Sequence, residues 1–313
     1  MLITGTQSIF YIASQQAEKI KGLDIGFIIA ASGMFLLVTG LTVYIIVKYR
    51  AKANAADPGQ MTRNRKLETL MVGIPLVLVT VFFFWSVTIM NAVMPSQMDR
   101  KPDIIITGHQ WWWQAYYPGT KVSAANEIHL PVGKAILMEL NAADVIHDWW
   151  VPAFGTKMDM IPGMHNYLWV TINKPGIYNG ACSEFCGQQH AWMRIRVVAQ
   201  SEEDYNNWLA ENEVPAKSPT DSLAKIGETL FLKASCSDCH SINGINAKGT
   251  VGPDLTHFSS RETMLTGMMA NNPTNVEQWL TDPQKLKPGA HMPRFLLAKD
   301  SIRALTTYLT QLK

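Results

Sequence analysis

Two charge-free apolar stretches limit what this 313-residue chain can fold into before any other feature does. No charged residue occurs from Ile25 to Val47, and none from Thr69 to Met98. A helix crossing a bilayer needs about 20 predominantly apolar residues, and each stretch supplies them. Their cores read FIIAASGMFLLVTGLTVYIIV and LMVGIPLVLVTVFFFWSVTIM, and Pro75 lies near the start of the second. A cleavable signal peptide does not fit the first, which begins too far into the chain and lacks a basic flank. The segment 1–101 is therefore read as a two-span hairpin, with spans at about 25–47 and 69–94.

Charge next to the spans gives the orientation. Lys48, Arg50, Lys52, Arg63, Arg65 and Lys66 lie between them, with Asp57 the only acid before Glu68. The outer flanks are balanced, Glu18, Lys19, Lys21 and Asp24 on one side and Asp99, Arg100, Lys101 and Asp103 on the other. The positive-inside rule puts the connecting loop in the cytoplasm and both termini outside. Glu68, at the cytoplasmic rim, is either a helix-start carboxylate favoured by the macrodipole or the mouth of a proton path. From the residues alone the first reading is preferred. A net charge of +2 without a dominating basic block argues against a nucleic-acid partner. Four cysteines are too few for a disulfide scaffold.

Past the spans the pattern changes twice. Between Pro102 and Gln200, short β-rich runs (IIITGHQWWWQAYY, NEIHL, AILMELN, YLWVTI, MRIRVVA) alternate with turn residues, which predicts a sandwich or small barrel. Ser201 reads as the N-cap of a trailing helix, closing a domain at 102–213. Residues 214–221 (VPAKSPTD) have linker composition, and 222–313 reads as helical with no strand of any strength.

All four cysteines fall in two windows. In the first, Cys182, Cys186, His190 and Met193 follow one another at intervals of four, four and three. Two thiolates, an imidazole and a thioether form a soft set that favours copper. Two cysteines on one loop let two coppers share both sulfurs as bridges, and each copper then needs an outer histidine. His190 supplies one, and His147 in DVIHDWWVP is the best candidate for the other. A Cys182–Cys186 disulfide, a zinc site and Met193 as core filler are the competing readings. The second window, Cys236-Ser-Asp-Cys239-His240, is the C-x-x-C-H signal for covalent c-type haem, with His240 placed to ligate iron. Met292, between a turn and a proline, is the expected sixth ligand, with His257 and His291 as further candidates. Met264, Met268 and Met269 lie at helical spacing and read as core.

These motifs, with GHQWWW and MDMIPG, resemble subunit II of the haem–copper cytochrome c oxidases, the caa-type in which a cytochrome c is fused at the C-terminus. The resemblance covers essentially the whole chain. It implies a multidomain membrane protein made of a two-helix transmembrane hairpin, a β-sandwich or barrel of cupredoxin-like type, and an all-α class-I-like cytochrome c domain. It implies the binuclear copper centre CuA, held by His147, Cys182, Cys186, His190, Met193 and the backbone carbonyl of Glu184, whose side chain is expected at a magnesium site shared with subunit I. Trp111 matches the position where electrons arrive, and Glu68 in LETLMVGIP matches a glutamate guarding a proton pathway. Met71 and Val72 replace a tryptophan usual after that glutamate, and Met164 replaces an arginine usual after the IPG turn. Gly227 and Phe231 match one of two crossing cytochrome helices, and Gly252-Pro-Asp-Leu255 a loop whose proline carbonyl orients the proximal histidine.

The implied function is electron transfer in a terminal oxidase of the bacterial inner membrane, with both redox domains on the outer side. Electrons from a cytochrome c or a quinol-oxidising respiratory complex would pass through haem c and CuA to subunit I, where oxygen is reduced to water with proton translocation. The partners are subunit I, other oxidase subunits and membrane lipid. A short flexible linker would hold the second redox encounter at an effective concentration of order mM. A nitric-oxide reductase subunit and a copper-free quinol-oxidase counterpart are the other classes. The complete ligand set argues against the latter.

Overall fold

The computed structural model describes residues 8–50, 59, 63–94 and 100–313. Lys52, Asp57 and Asp99 of the charge comparison lie outside them. Residues Glu18–Met94 form one compact unit, and the flanking described residues form another.

In the first unit, α1 (Gln15–Lys48) and α2 (Arg65–Val93) are both long and apolar enough to cross a membrane. Gly26 makes room for the Trp85 ring, since a Cβ there would come within 2.7 Å of it. Phe27 meets Phe82 edge-on at 5.9 Å between ring centroids. Most of the other large apolar side chains of the two helices are exposed, as a lipid solvent allows. At the start of α2, the Asn64 side chain accepts from the Leu67 N–H, while the Glu68 carboxylate accepts from the Asn64 N–H at 3.3 Å. Glu68 thus lies in the first turn of α2 and accepts from the N-cap residue.

The β part of the second unit runs β1 (Ile104–His109), β2 (Trp112–Tyr116), β3 (Ser123–Ala125), β4 (Glu127–Pro131), β5 (Ala135–Ala142), β6 (His147–Trp150), β7 (Lys157–Met160), β8 (Asn166–Thr171), β9 (Gly176–Cys182) and β10 (Arg194–Gln200). Among the described residues these make two five-stranded sheets, ordered β3-β2-β1-β5-β8 and β4-β10-β9-β6-β7. Alternate residues of each strand point to one face. Ile104, Ile106, Met138 and Leu140 from the first sheet therefore share a core with Ile128, Trp149, Ile195 and Val197 from the second. The sandwich closes with α3 (Glu202–Glu213), capped by Ser201 and held by Trp208 stacked on His129 at 4.0 Å. The run IIITGHQWWW is not one strand. A turn separates β1 from β2, and Trp111 lies in it.

The C-terminal region contains α4 (Ser222–Lys233), α5 (Cys236–Cys239), β11 (Ser241–Ile242), β12 (Ala247–Lys248), β13 (Thr263–Met264), β14 (Met269–Ala270), α6 (Pro273–Thr281), α7 (Pro283–Leu286) and α8 (Lys299–Leu309). Helices α4 and α8 cross with almost no gap: a Cβ on Gly227 would fall 2.2 Å from the Ala304 carbonyl oxygen. Two short hairpins of two-residue strands, β11–β12 and β13–β14, stand among the helices. Met264, Met268 and Met269 belong to the second hairpin, where Leu265 and Thr266 take positive φ to turn the chain, so their helical spacing is incidental. Met264 is nonetheless core.

Candidate functional site

The cysteine loop hangs between two strands whose register fixes it. β9 ends on Cys182, paired across to Trp149 of β6, and the Cys182 N–H bonds to the Met193 carbonyl just before β10. His147, at the start of β6, thereby comes beside Cys182 although 35 residues separate them. Its Nδ1 lies 3.9 Å from Cys182 Sγ, and the two sulfurs are 3.8 Å apart. From Cys186 Sγ, His190 Nδ1 is 3.6 Å and Met193 Sδ 3.7 Å away. The Glu184 carbonyl oxygen lies 3.2 Å from Cys182 Sγ, while the Glu184 side chain is exposed. The sulfur–sulfur distance is far beyond a disulfide bond, and all four cysteines are free.

His147 and Met193 are completely buried, and Cys182 and Cys186 nearly so. His147 Nε2 hydrogen-bonds Asp144 at 2.8 Å, which turns Nδ1 toward the sulfurs. Burial works against charge on that imidazole, but its bonds to Cys182 and Asp144 outweigh it and raise the pKa. Cys182 is brought down to about 4, first because the Cys186 thiol bonds it and next because His147 does. Cys186 is pushed up by the same pairing and by burial. Gly108 of GHQWWW has a plain steric role. A Cβ there would lie 2.9 Å from the His147 ring.

The C-x-x-C-H window lies at the wall of an apolar cleft. Cys236, Cys239, His240, Met292, Trp279 and Leu305 line it. His240 Nδ1 donates to the Pro253 carbonyl at 2.7 Å, leaving Nε2 as the remaining ring nitrogen. Burial lowers the His240 pKa and favours the neutral ring that a metal ligand needs. A Cβ on Gly252 would fall 2.5 Å from His240 Cε1, so the glycine is a cradle for the imidazole. His257 is turned away, its Nε2 bonded to the Val214 carbonyl at 3.0 Å. His291 and Met292 both line the cleft, with the His291 ring 5.2 Å from that of Trp111. Two free thiols, a pre-oriented imidazole, a thioether and apolar walls fit a covalent haem. The buried sulfur–imidazole cluster fits a soft metal.

Trp111 joins the two places. Its ring lines the cleft, and its Nε1 donates to the Cys186 carbonyl at 3.0 Å, which also accepts from Gln110 Nε2 at 2.7 Å. Sequence reasoning did not single out Gln110, and its value depends on a fold contact 76 residues away. Asp144 stood in a quoted motif, and its spacing of three from His147 was the available signal.

Three family profiles match in tandem. "Cytochrome C oxidase subunit II, transmembrane domain" covers residues 6–89, its "periplasmic domain" 120–200, and "Cytochrome c" 224–313. The cytochrome c oxidase subunit 2 of Alkalihalophilus pseudofirmus is 34% identical, over 95% of this chain and 88% of its own length. That of Bacillus sp. strain PS3 is 31% identical, over 82% and 77%. The periplasmic domain of subunit II from Bradyrhizobium japonicum, a solved structure, aligns over 37% of this chain and 96% of its own, at 35% identity and TM-score 0.35. A subunit II domain implies copper, a cytochrome c domain implies haem, and the family works beside oxidase subunit I in a membrane with periplasmic domains. With both sites and all three profiles in one order along the sequence, the chain belongs to the cytochrome c oxidase subunit 2 family, in the form that carries its own cytochrome c domain.

Proposed function

We propose that this chain receives electrons at its cytochrome c domain and delivers them through a binuclear copper centre to oxidase subunit I. The observation that carries this reading is the Trp111 indole, which borders the C-x-x-C-H cleft and donates to the carbonyl of a copper-loop cysteine. When bound, covalent haem and a two-copper cluster supply reversible one-electron chemistry near fixed potentials. Cys236 and Cys239 would hold the haem as thioethers, and His240 and Met292 would ligate its iron. Cys182, Cys186, His147, His190, Met193 and the Glu184 carbonyl would hold the coppers. The buried positions of His147 and Met193 keep water out, and the Asp144 bond fixes His147's tautomer.

Glu184's exposed carboxylate would meet magnesium at the junction with subunit I. Glu68 would stand at the mouth of a proton path into that subunit, supporting proton translocation coupled to oxygen reduction. The loop between the spans would be cytoplasmic, with both termini and both redox domains outside, in a bacterial inner membrane. The donor would be a cytochrome c or a quinol-oxidising complex. The relatives' names favour an oxidase over a nitric-oxide reductase.

Purified full-length chain in detergent tests this. It should give a c-type α-band together with a mixed-valence two-copper EPR pattern. Met292→Ala should remove the methionine-to-iron charge-transfer band. A one-copper EPR pattern would sink the bridged-thiolate assignment.

A further inference from the structure

Between the sandwich and the helical region lie buried charged groups that supply no ligand to either cofactor site. Glu127, at the start of β4, is 5% exposed, and every hydrogen bond its carboxylate accepts comes from the helical region. One oxygen accepts from the Thr263 N–H at 2.8 Å and the Thr263 hydroxyl at 2.7 Å, the other from the Glu262 N–H at 3.1 Å. Arg196, opposite Glu127 in the β4–β10 register, lies 3.3 Å from the same carboxylate and also pairs with Glu262. Thr263 itself lines the haem cleft.

A second contact of this kind lies on the copper side. Lys287, also 5% exposed, donates through Nζ to the Trp111 carbonyl at 2.9 Å and sits 3.3 Å from the Thr266 hydroxyl. That hydroxyl donates to the carbonyl of Trp192 in the copper loop, and the Gln189 side chain donates to the Pro288 carbonyl. A buried ion is tolerated only where partners compensate its lost water. Here the hydrogen bonds to Glu127 and the bond from Lys287 to Trp111 cross the junction, so separating the two regions would leave Glu127 only Arg196 of its own sheet and Lys287 only the Thr266 hydroxyl.

We propose that Glu127 and Lys287 are positioning residues that clamp the cytochrome region against the copper domain in one fixed arrangement, with Trp111 between them. Electron passage then takes place in a standing contact rather than by repeated docking of a tethered domain. The face of the copper domain around Trp111 is already covered, so an external redox protein has to deliver its electron to the cytochrome region. The clamp rests on the electron path proposed above for its purpose, but not for its existence.

The test uses the full chain with both cofactors bound, in detergent. Hydrogen exchange should show the 262–266 peptide protected in the unaltered chain and unprotected in Glu127→Ala, with peptides from α4 and α8 unchanged. After flash reduction of the haem, copper reduction should not vary with glycerol viscosity. In Glu127→Ala and in Lys287→Met it should slow by about tenfold or more and become viscosity-dependent, while Lys287→Arg keeps most of the rate. Absorption and EPR spectra should stay unaltered throughout. Lys287→Met breaks the clamp from the other end should Glu127→Ala fail to fold. Wild-type exchange and rates in both disrupting variants would overturn the clamp, as would a viscosity-dependent rate in the unaltered chain. If the haem never reduces copper even in the unaltered chain, the electron path fails, and the exchange result alone then decides the clamp.

Discussion

The copper loop and the haem window solve one problem, fixing soft ligands around a redox centre, in opposite ways. The haem window is local: Cys236, Cys239 and His240 lie within five residues, and one short helix presents them. The copper set is non-local, because His147 reaches Cys182 only through the pairing of β6 with β9. A local site inherits its geometry from its own turn, whereas a non-local one inherits it from a whole sheet. The copper centre should therefore respond to changes in the sandwich, and the haem site chiefly to changes in the helix crossing.

The strongest test of this contrast is Cys182→Ser. Cys182 faces Cys186, His147 and the Glu184 carbonyl at once, so the two-copper EPR signal should vanish while the haem α-band is unchanged. A simultaneous loss of haem would mean that the sites are not independent. Gly227→Val attacks the other side. With only 2.2 Å between a Cβ and the Ala304 oxygen, overpacking should destabilise the helical region by about 3 kcal/mol. Denaturant unfolding followed at the haem should register it, with copper EPR before the transition as the control.

Asp144→Asn is a subtler probe of the non-local site. Losing the carboxylate that orients His147 should weaken copper binding roughly 10- to 100-fold, measured by competition with a chelator. An unchanged affinity would show that the sheet alone fixes the ring. The smallest effect concerns His129, which burial holds down to about 4. The folded state therefore binds fewer protons than the unfolded one between pH 4 and the ordinary histidine value near 6.5. Its contribution to stability is complete above that window and is lost as pH falls through it. Melting temperatures of the sandwich at pH 7 and pH 5 should differ less in His129→Gln. An identical acid slope would remove His129 as the cause.

Much of this was legible before folding, and the reason is periodicity and spacing. Charge-free runs disclose spans, alternation discloses strands, and C-x-x-C-H needs no tertiary structure to be read. The copper loop was legible as a cluster, and His147 as its partner, because few histidines stand at the end of a β run. What stayed hidden was set by contacts across the fold. Gly108 looks like a turn residue until the His147 ring is seen against it. Trp111 reads as a strand residue because three tryptophans stand in a row, yet the chain turns there. Glu127 and Lys287 carry no local signal, since their partners are 135 and 176 residues away. The hairpins around Ser241 and Thr263 have strands of only two residues, too short for alternation to register.

The segment after α3 has a mechanical consequence. Val214 is tied to His257, the Ala216 N–H is bonded to the Asn243 carbonyl, and Asp221 caps α4. A free stretch of eight residues could pay out roughly 27 Å of contour length. Stitched at both ends to the same body, this one has almost no slack. It acts less like a leash than like a bracket, so lengthening it with glycine and serine would add rope without adding reach.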